Sequence, residues 1–81
     1  MQVHLLYFAT FRDVSGRDRE DRQVPAGARV ADLWDELVRE MPGLARTGLT
    51  PPAAVNREYT GAETRLREGD EVAFLPPVAG G

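Results

Sequence analysis

The sequence predicts a single α+β domain in which one main helix packs on one face of a mixed sheet. Three observations support this prediction. An apolar strand pattern opens the chain, an amphipathic helical pattern occupies its middle, and a second apolar strand pattern lies just before an ending rich in proline and glycine. The 81 residues are enough for one small domain, since chains of about 60 residues can fold alone.

The first part of the chain predicts a strand and a polar hairpin. Residues 3–9 are rich in apolar and aromatic side chains, which favours a β-strand. Residues 10–14 are expected to form a short helical turn. Residues 16–23 are strongly charged and are interpreted as a hairpin tip that leads into a polar edge strand, because charged edges resist unwanted strand pairing.

The middle of the chain predicts the main helix, over residues 30–41. Its apolar side chains follow the 3-1-3-1-3 spacing of one helical face, and they are Val30, Leu33, Trp34, Leu37, Val38 and Met41. Pro42 and Gly43 end the helix. Arg29 occupies the position where Ser, Thr, Asp or Asn normally caps a helix, and Asp32 is expected to compensate in part through the helix dipole.

The last part predicts two further strands, at residues 53–56 and 71–75. The predicted order is therefore strand, strand, helix, strand, strand. With the first and last strands parallel and adjacent at the centre, this is the β-grasp arrangement. The folded domain is expected to comprise residues 1–75, and residues 76–81 a flexible tail that ends in Gly-Gly.

The alternation of side chains along each strand separates two faces of the sheet. The set expected to face the helix consists of Val3, Leu5, Tyr7, Val72 and Phe74. Leu6, Phe8 and Leu75 then lie on the opposite face, which no second helix covers. Exposed apolar side chains grouped in this way indicate a partner surface. The alternative is that loops cover them.

Composition excludes several function classes. The chain has no cysteine and one histidine, His4, which excludes disulfides, cysteine-ligated zinc, histidine metal clusters and a Ser-His-Asp triad. A formal net charge of −3 argues against a nucleic-acid partner. No apolar run approaches the roughly 20 residues of a membrane span, and no signal-peptide pattern opens the chain. We therefore expect a cytoplasmic protein that binds no metal, membrane or nucleic acid.

The ending is the candidate functional segment, Pro76-Pro77-Val78-Ala79-Gly80-Gly81. The prolines stop the strand, and six extended residues span roughly 20 Å. The glycines lack a Cβ and can thread a narrow channel. A carboxylate at Gly81 becomes a good acyl donor once AMP is attached to it, and a sulfur nucleophile can then form a thiocarboxylate. The alternative is a frayed terminus of small residues.

The chain resembles the small subunit of molybdopterin synthase (the MoaD family), a ubiquitin-like sulfur carrier. The matching segments are residues 53–56, AAVN, and residues 68–81, EGDEVAFLPPVAGG, together with Phe8, Ala9 and Arg12. The charged residues 16–23 and the loop 44–52 contribute little to the resemblance.

The resemblance implies a sulfur-donating subunit of a heterotetrameric synthase, a sulfurtransferase. Gly81 would be the reactive centre, Gly80, Ala79 and Val78 would pass through the partner's channel, and docking positions would include Leu6, Phe8, Leu75, Pro76 and Pro77. The large subunit would hold cyclic pyranopterin monophosphate and the acid–base residues. A ubiquitin-activating-like adenylating enzyme would supply ATP and Mg²⁺, since this chain has no phosphate-binding loop, and a sulfurtransferase would supply sulfur.

Two alternatives stay open at this point. One is a sulfur carrier for thiamine, cysteine or tRNA thiolation, which would share the fold and the Gly-Gly ending. The other is a non-reactive β-grasp binding module, for which loss of Gly81 would leave function intact. The chain length and the Pro-Pro-Val spacer favour the pterin pathway.

Overall fold

The computed structural model describes residues 1–45 and 50–75. Its elements are β1 (Gln2–Tyr7), α1 (Ala9–Ser15), β2 (Arg19–Gln23), α2 (Val30–Glu40), a 3₁₀ turn (Pro42–Leu44), β3 (Ala53–Val55), β4 (Glu58–Thr60) and β5 (Glu71–Phe74). The strands form one five-stranded sheet in the order β2-β1-β5-β3-β4. β1 and β5 are parallel and central, and the other neighbours are antiparallel. The β-grasp prediction is confirmed.

The core lies between α2 and one face of the sheet. All five side chains predicted to face the helix are buried, and Val3, Leu5 and Val72 are completely so. On the helix, Trp34 packs between two other aromatic rings. Its ring centroid lies 5.3 Å from that of Phe11 and 4.9 Å from that of Phe74. The apolar side chains identified by strand alternation and those identified by helical spacing therefore pack together in one layer.

The first backbone N–H groups of α2 have more hydrogen-bond acceptors than the sequence predicts. The Arg29 N–H donates to Asp32 Oδ2 at 2.9 Å, so Asp32 contributes a hydrogen bond as well as a favourable charge. The next two backbone N–H groups donate to the carbonyl oxygens of Thr64 and Ala62, both at 2.9 Å. The loop after β4 thus provides the acceptors that a capping side chain usually supplies.

Strand β4 is the element that sequence reasoning missed. Asn56 and Arg57 both have positive φ, 52° and 71°, and they form the two-residue turn between β3 and β4 that such conformations favour. Asn56 therefore belongs to the turn and not to the strand. Its side chain fixes the turn to β5, because Asn56 Oδ1 accepts from the Glu71 N–H at 3.0 Å and Nδ2 donates to Asp70 Oδ1 at 2.9 Å.

Polar side chains also join the charged edge strand β2 to α2. Arg22 keeps 11% of its side chain exposed and forms ion pairs with Glu20, Glu36 and Glu40 at 3.1, 3.0 and 2.6 Å. The hydrogen bond from Arg22 lowers the pKa of Glu40. Burial, followed by the hydrogen bond to Glu20, raises the pKa of Tyr7. The edge strand predicted from its charges is confirmed, and these charges also hold the helix in place.

Candidate functional site

The sheet face opposite α2 carries a row of side chains in strict register across all five strands. Leu6 pairs with Arg19 on one side and with Ala73 on the other, and Ala54 pairs with Ala73 and with Tyr59. We call this set the central row. Its third and fourth members, on β5 and β3, are alanines, so this part of the face is low and the side chains on either side of it stand higher.

The two ends of this face differ in polarity. Phe8 and Leu75 follow the parallel strands β1 and β5 and lie at the same end of the sheet. At the other end His4 pairs with Asp21 and with Glu71, and His4 Nδ1 lies 2.6 Å from Asp21 Oδ1. The apolar end is therefore the end from which the chain leaves β5.

Together these side chains line a shallow groove of about 460 Å³, which consists of Leu6, Phe8, Arg19, Ala54, Arg57, Tyr59, Glu71, Ala73 and Leu75. Phe8 is 45% exposed and Tyr59 is 82% exposed, while Leu6 and Leu75 are half-buried. The structure brings Leu6, Phe8 and Leu75 into one groove, as the alternation of side chains predicts. The loops within the described residues leave them accessible. Their role in docking stays a prediction.

Sequence reasoning placed Glu71 and Ala73 on this face together with Leu75, but it missed Ala54 and Tyr59. These two side chains reach the face through the pairing of β3 with β5 and of β4 with β3. The signal available in the sequence was the alternation in residues 58–60, where Tyr59 stands between two polar residues. A three-residue strand gives too short a pattern to identify without its partners.

The path from β5 toward the chain ending is fixed up to Leu75. The Leu75 N–H donates to the Pro52 carbonyl oxygen at 2.8 Å, and Phe74 pairs with Tyr7 in the parallel ladder. The predicted tail residues Pro76, Pro77, Val78, Ala79, Gly80 and Gly81 lie outside the described residues, so their assigned roles stay predictions.

The described residues contain an open groove, and they contain no cluster of potential metal ligands. Residues 1–45 and 50–75 contain no group of three or more His, Asp or Glu side chains that could hold a metal ion. No helix in these two ranges is long and apolar enough to cross a membrane. The groove combines apolar contact area with two guanidinium groups, which suits recognition of another macromolecule.

Comparison with known proteins identifies the family. The sequence model described as "ThiS family" matches residues 5–81. The chain belongs to the ThiS family.

Curated relatives match this ThiS-family chain over its whole length. The molybdopterin synthase sulfur carrier subunit of Chlamydomonas reinhardtii is 36% identical, with 100% of both chains covered. The subunit of the same name from Mycobacterium tuberculosis is 38% identical, with 100% of this chain and 99% of the relative covered. These relatives confirm the resemblance predicted from the sequence.

Solved structures support the same assignment of fold. The small archaeal modifier protein SAMP1 from Haloferax volcanii superposes on this ThiS-family chain with a TM-score of 0.82, at 28% identity and with 100% of both chains covered. A chain from the complex of subunits 1 and 2 of molybdopterin-converting factor from Helicobacter pylori gives a TM-score of 0.65 at 24% identity, again with 100% of both chains covered. The second likeness shows the fold alone.

Proposed function

We propose that this chain is the sulfur carrier subunit of a molybdopterin synthase. The observation that supports the proposal most directly is the full-length match to two subunits of that name, at 36% and 38% identity. The ending Gly80-Gly81 beyond the central strand gives such a carrier its reactive group. The finished product would be the dithiolene made from cyclic pyranopterin monophosphate.

The fold supports this role because the groove includes Leu75, the last described residue before the tail. β5 is hydrogen-bonded to strands on both of its sides, and Leu75 at its end lines the groove together with Phe8. A partner that covers the groove therefore lies next to the point where residues 76–81 begin. Six extended residues reach roughly 20 Å, which is far enough for Gly81 to enter a pocket in that partner.

The chemistry proceeds at the Gly81 carboxylate. A carboxylate oxygen attacks the α-phosphorus of ATP, pyrophosphate leaves, and an acyl adenylate forms. The terminal sulfur of a protein persulfide then attacks the acyl carbon and AMP leaves, which gives an acyl disulfide. A second thiol attacks the sulfur that belongs to the donor protein, so the S–S bond breaks and the thiocarboxylate is released. Its soft, ionised sulfur can next attack the pterin substrate.

Other proteins must supply the remaining groups. We propose an adenylating enzyme that binds ATP and Mg²⁺, a sulfurtransferase that carries the persulfide, and a large synthase subunit that holds the substrate and the acid–base residues. In this proposal the present chain contributes the sulfur atom, the tail that delivers it and the groove that docks it.

Intact-mass spectrometry tests the proposal. The chain is incubated with its adenylating enzyme, ATP and a sulfurtransferase charged with sulfur, and its mass should rise by the difference between one sulfur and one oxygen atom. A chain that lacks Gly81 is the matched control and should show no change. An unchanged mass for the full chain, with an adenylating enzyme shown to be active on another carrier, would overturn the proposal.

A second assay separates the pterin pathway from the alternatives. The thiocarboxylated chain is mixed with the large synthase subunit and cyclic pyranopterin monophosphate, and the dithiolene product is measured. Product formation that depends on Gly81 supports the pterin role. A thiocarboxylated chain that gives no dithiolene in this assay, but donates sulfur to a thiamine, cysteine or tRNA precursor, identifies the alternative carrier. Activity without Gly81 identifies a non-reactive binding module.

A further inference from the structure

Two arginines stand out on the groove. Arg19 and Arg57 are exposed and both line it. Within residues 1–45 and 50–75 neither guanidinium forms an ion pair or a hydrogen bond, whereas Arg22 and Arg29 on the other parts of the surface are each ion-paired to glutamates. The guanidinium groups on the groove are therefore available to an incoming surface.

The acidic side chains on the same face do not neutralise these arginines. Asp21 is engaged with His4 at 2.6 Å, which leaves Glu71 as the carboxylate that lines the groove. The groove thus carries two guanidinium groups against one carboxylate, although the chain as a whole has a formal net charge of −3. Its local charge is opposite in sign to that of the molecule.

We propose that Arg19 and Arg57 set the charge specificity of docking, and that the surface they recognise is an apolar ridge flanked by carboxylates. The ridge fits over the low floor made by Ala54 and Ala73, and the carboxylates lie opposite the two guanidinium groups. The inference rests on the proposed function, since the partner it concerns is the large subunit of molybdopterin synthase. Planar guanidinium groups suit this role because they pair with carboxylates in a bidentate geometry.

A second copy of this chain fits the groove less well. A symmetric dimer places the same patch on both sides of the interface, so two positively charged grooves would face each other. Each partner would also bring a formal net charge of −3. The repulsion between the grooves and the repulsion between the net charges both oppose self-association. An acidic partner surface would instead be attracted to the positively charged groove.

The experiment measures binding to the large subunit by surface plasmon resonance at low and high salt. Arg19→Glu and Arg57→Glu are each expected to weaken binding about five- to tenfold at low salt, mainly through slower association. The double variant should lose roughly 25- to 100-fold if the two sites act independently. At about 0.5 M salt, screening should reduce each single difference below about threefold. Arg57→Lys keeps the charge but loses the bidentate geometry, so it should weaken binding less than Arg57→Glu does.

Arg39→Glu is the matched control, because it changes the net charge equally from an exposed site on α2, outside the groove. It should bind as the wild type does. Equal loss in the control and the groove variants, or an Arg57→Lys variant as weak as Arg57→Glu, would overturn the inference. Groove variants that bind like wild type would overturn it and leave the proposed function standing. A wild-type chain that fails to bind the large subunit, or that binds mainly itself, would count against both.

Discussion

Replacing Phe8 by aspartate should separate partner binding from folding. Phe8 is the N-cap residue of α1, with extended backbone angles (φ −123°, ψ 152°) and no side-chain capping bond. Aspartate is among the preferred N-cap residues and typically adds about 1 kcal/mol over a non-capping side chain. Loss of the partly buried ring costs up to about 2 kcal/mol, so the new cap offsets part of that cost and the isolated domain should remain folded.

The expected loss of binding follows from the exposed fraction of the ring. Phe8 is 45% exposed, which for an aromatic side chain that buries on the order of 200 Å² leaves about 90 Å² for a partner to cover. At about 25 cal/mol per Å² this contact is worth about 2 kcal/mol, or roughly 30-fold in Kd. Desolvation of the introduced carboxylate adds roughly 1 kcal/mol or more. The Kd of Phe8→Asp for the large synthase subunit should therefore rise about 100-fold or more.

Isothermal titration calorimetry with the large subunit measures this Kd, and circular dichroism checks the fold and the melting temperature. Val14→Asp is the control, since Val14 lies on the same helix, is 42% exposed and does not line the groove; its Kd should stay within about threefold of wild type. A folded Phe8→Asp variant with wild-type affinity would refute the assignment of this face to docking. An unfolded variant would refute the reasoning about the cap.

Three further predictions concern other side chains. Tyr59→Ala should change the free energy of unfolding by less than about 0.5 kcal/mol, because the ring is 82% exposed. The same substitution should weaken binding to the large subunit about tenfold or more. A wild-type Kd would show that Tyr59 is not part of the docking surface. Arg22→Ala should destabilise the domain by about 2 kcal/mol at neutral pH in chemical denaturation, because its three carboxylate partners lose a largely buried cation. Arg22 lowers the pKa of Glu40, so the stability that this pair contributes is present above the unfolded pKa of Glu40 and is lost as acid protonates the carboxylate. The difference in unfolding free energy between wild type and Arg22→Ala should therefore narrow below about pH 4. A difference that stays constant down to about pH 2 would contradict this account. Trp34→Ala should lower the free energy of unfolding by about 3–5 kcal/mol. Circular dichroism measures this change, because the chain has no other tryptophan whose fluorescence could be followed. A loss of stability below about 1 kcal/mol would mean that the space between Phe11 and Phe74 closes when the side chain is removed.

The parts of the fold that sequence could predict are those set by local periodicity. The apolar stripe of α2 and the alternation in β1 and β5 each determine which side chains are buried, whatever the rest of the chain does. Polar residues of the two central strands, among them His4 in β1 and Glu71 in β5, lie on the open face, and the apolar side chains that alternate with them were predicted to be buried. Burial of Val3, Leu5 and Val72 confirms that prediction.

The parts that sequence could not predict depend on register between distant segments. Tyr59 joins the groove only because β4 pairs with β3, and Ala54 and Ala73 become its floor only because β3 pairs with β5. In the sequence Arg22 is one of several charges on an edge strand, and its ion pairs with Glu36 and Glu40 depend on the position of α2. The acceptors that complete the start of α2 come from a loop more than 30 positions later in the chain, at Ala62 and Thr64.

The central position of β5 has a mechanical consequence. β5 is flanked by a parallel ladder to β1 and an antiparallel ladder to β3, so a pull on Leu75 along the strand loads both ladders in shear, with their hydrogen bonds resisting together. A strand at the edge of the sheet would share the same load with one neighbour only. Force applied through the C-terminal tail of a carrier would thus act on a strand that is held by hydrogen bonds on both sides.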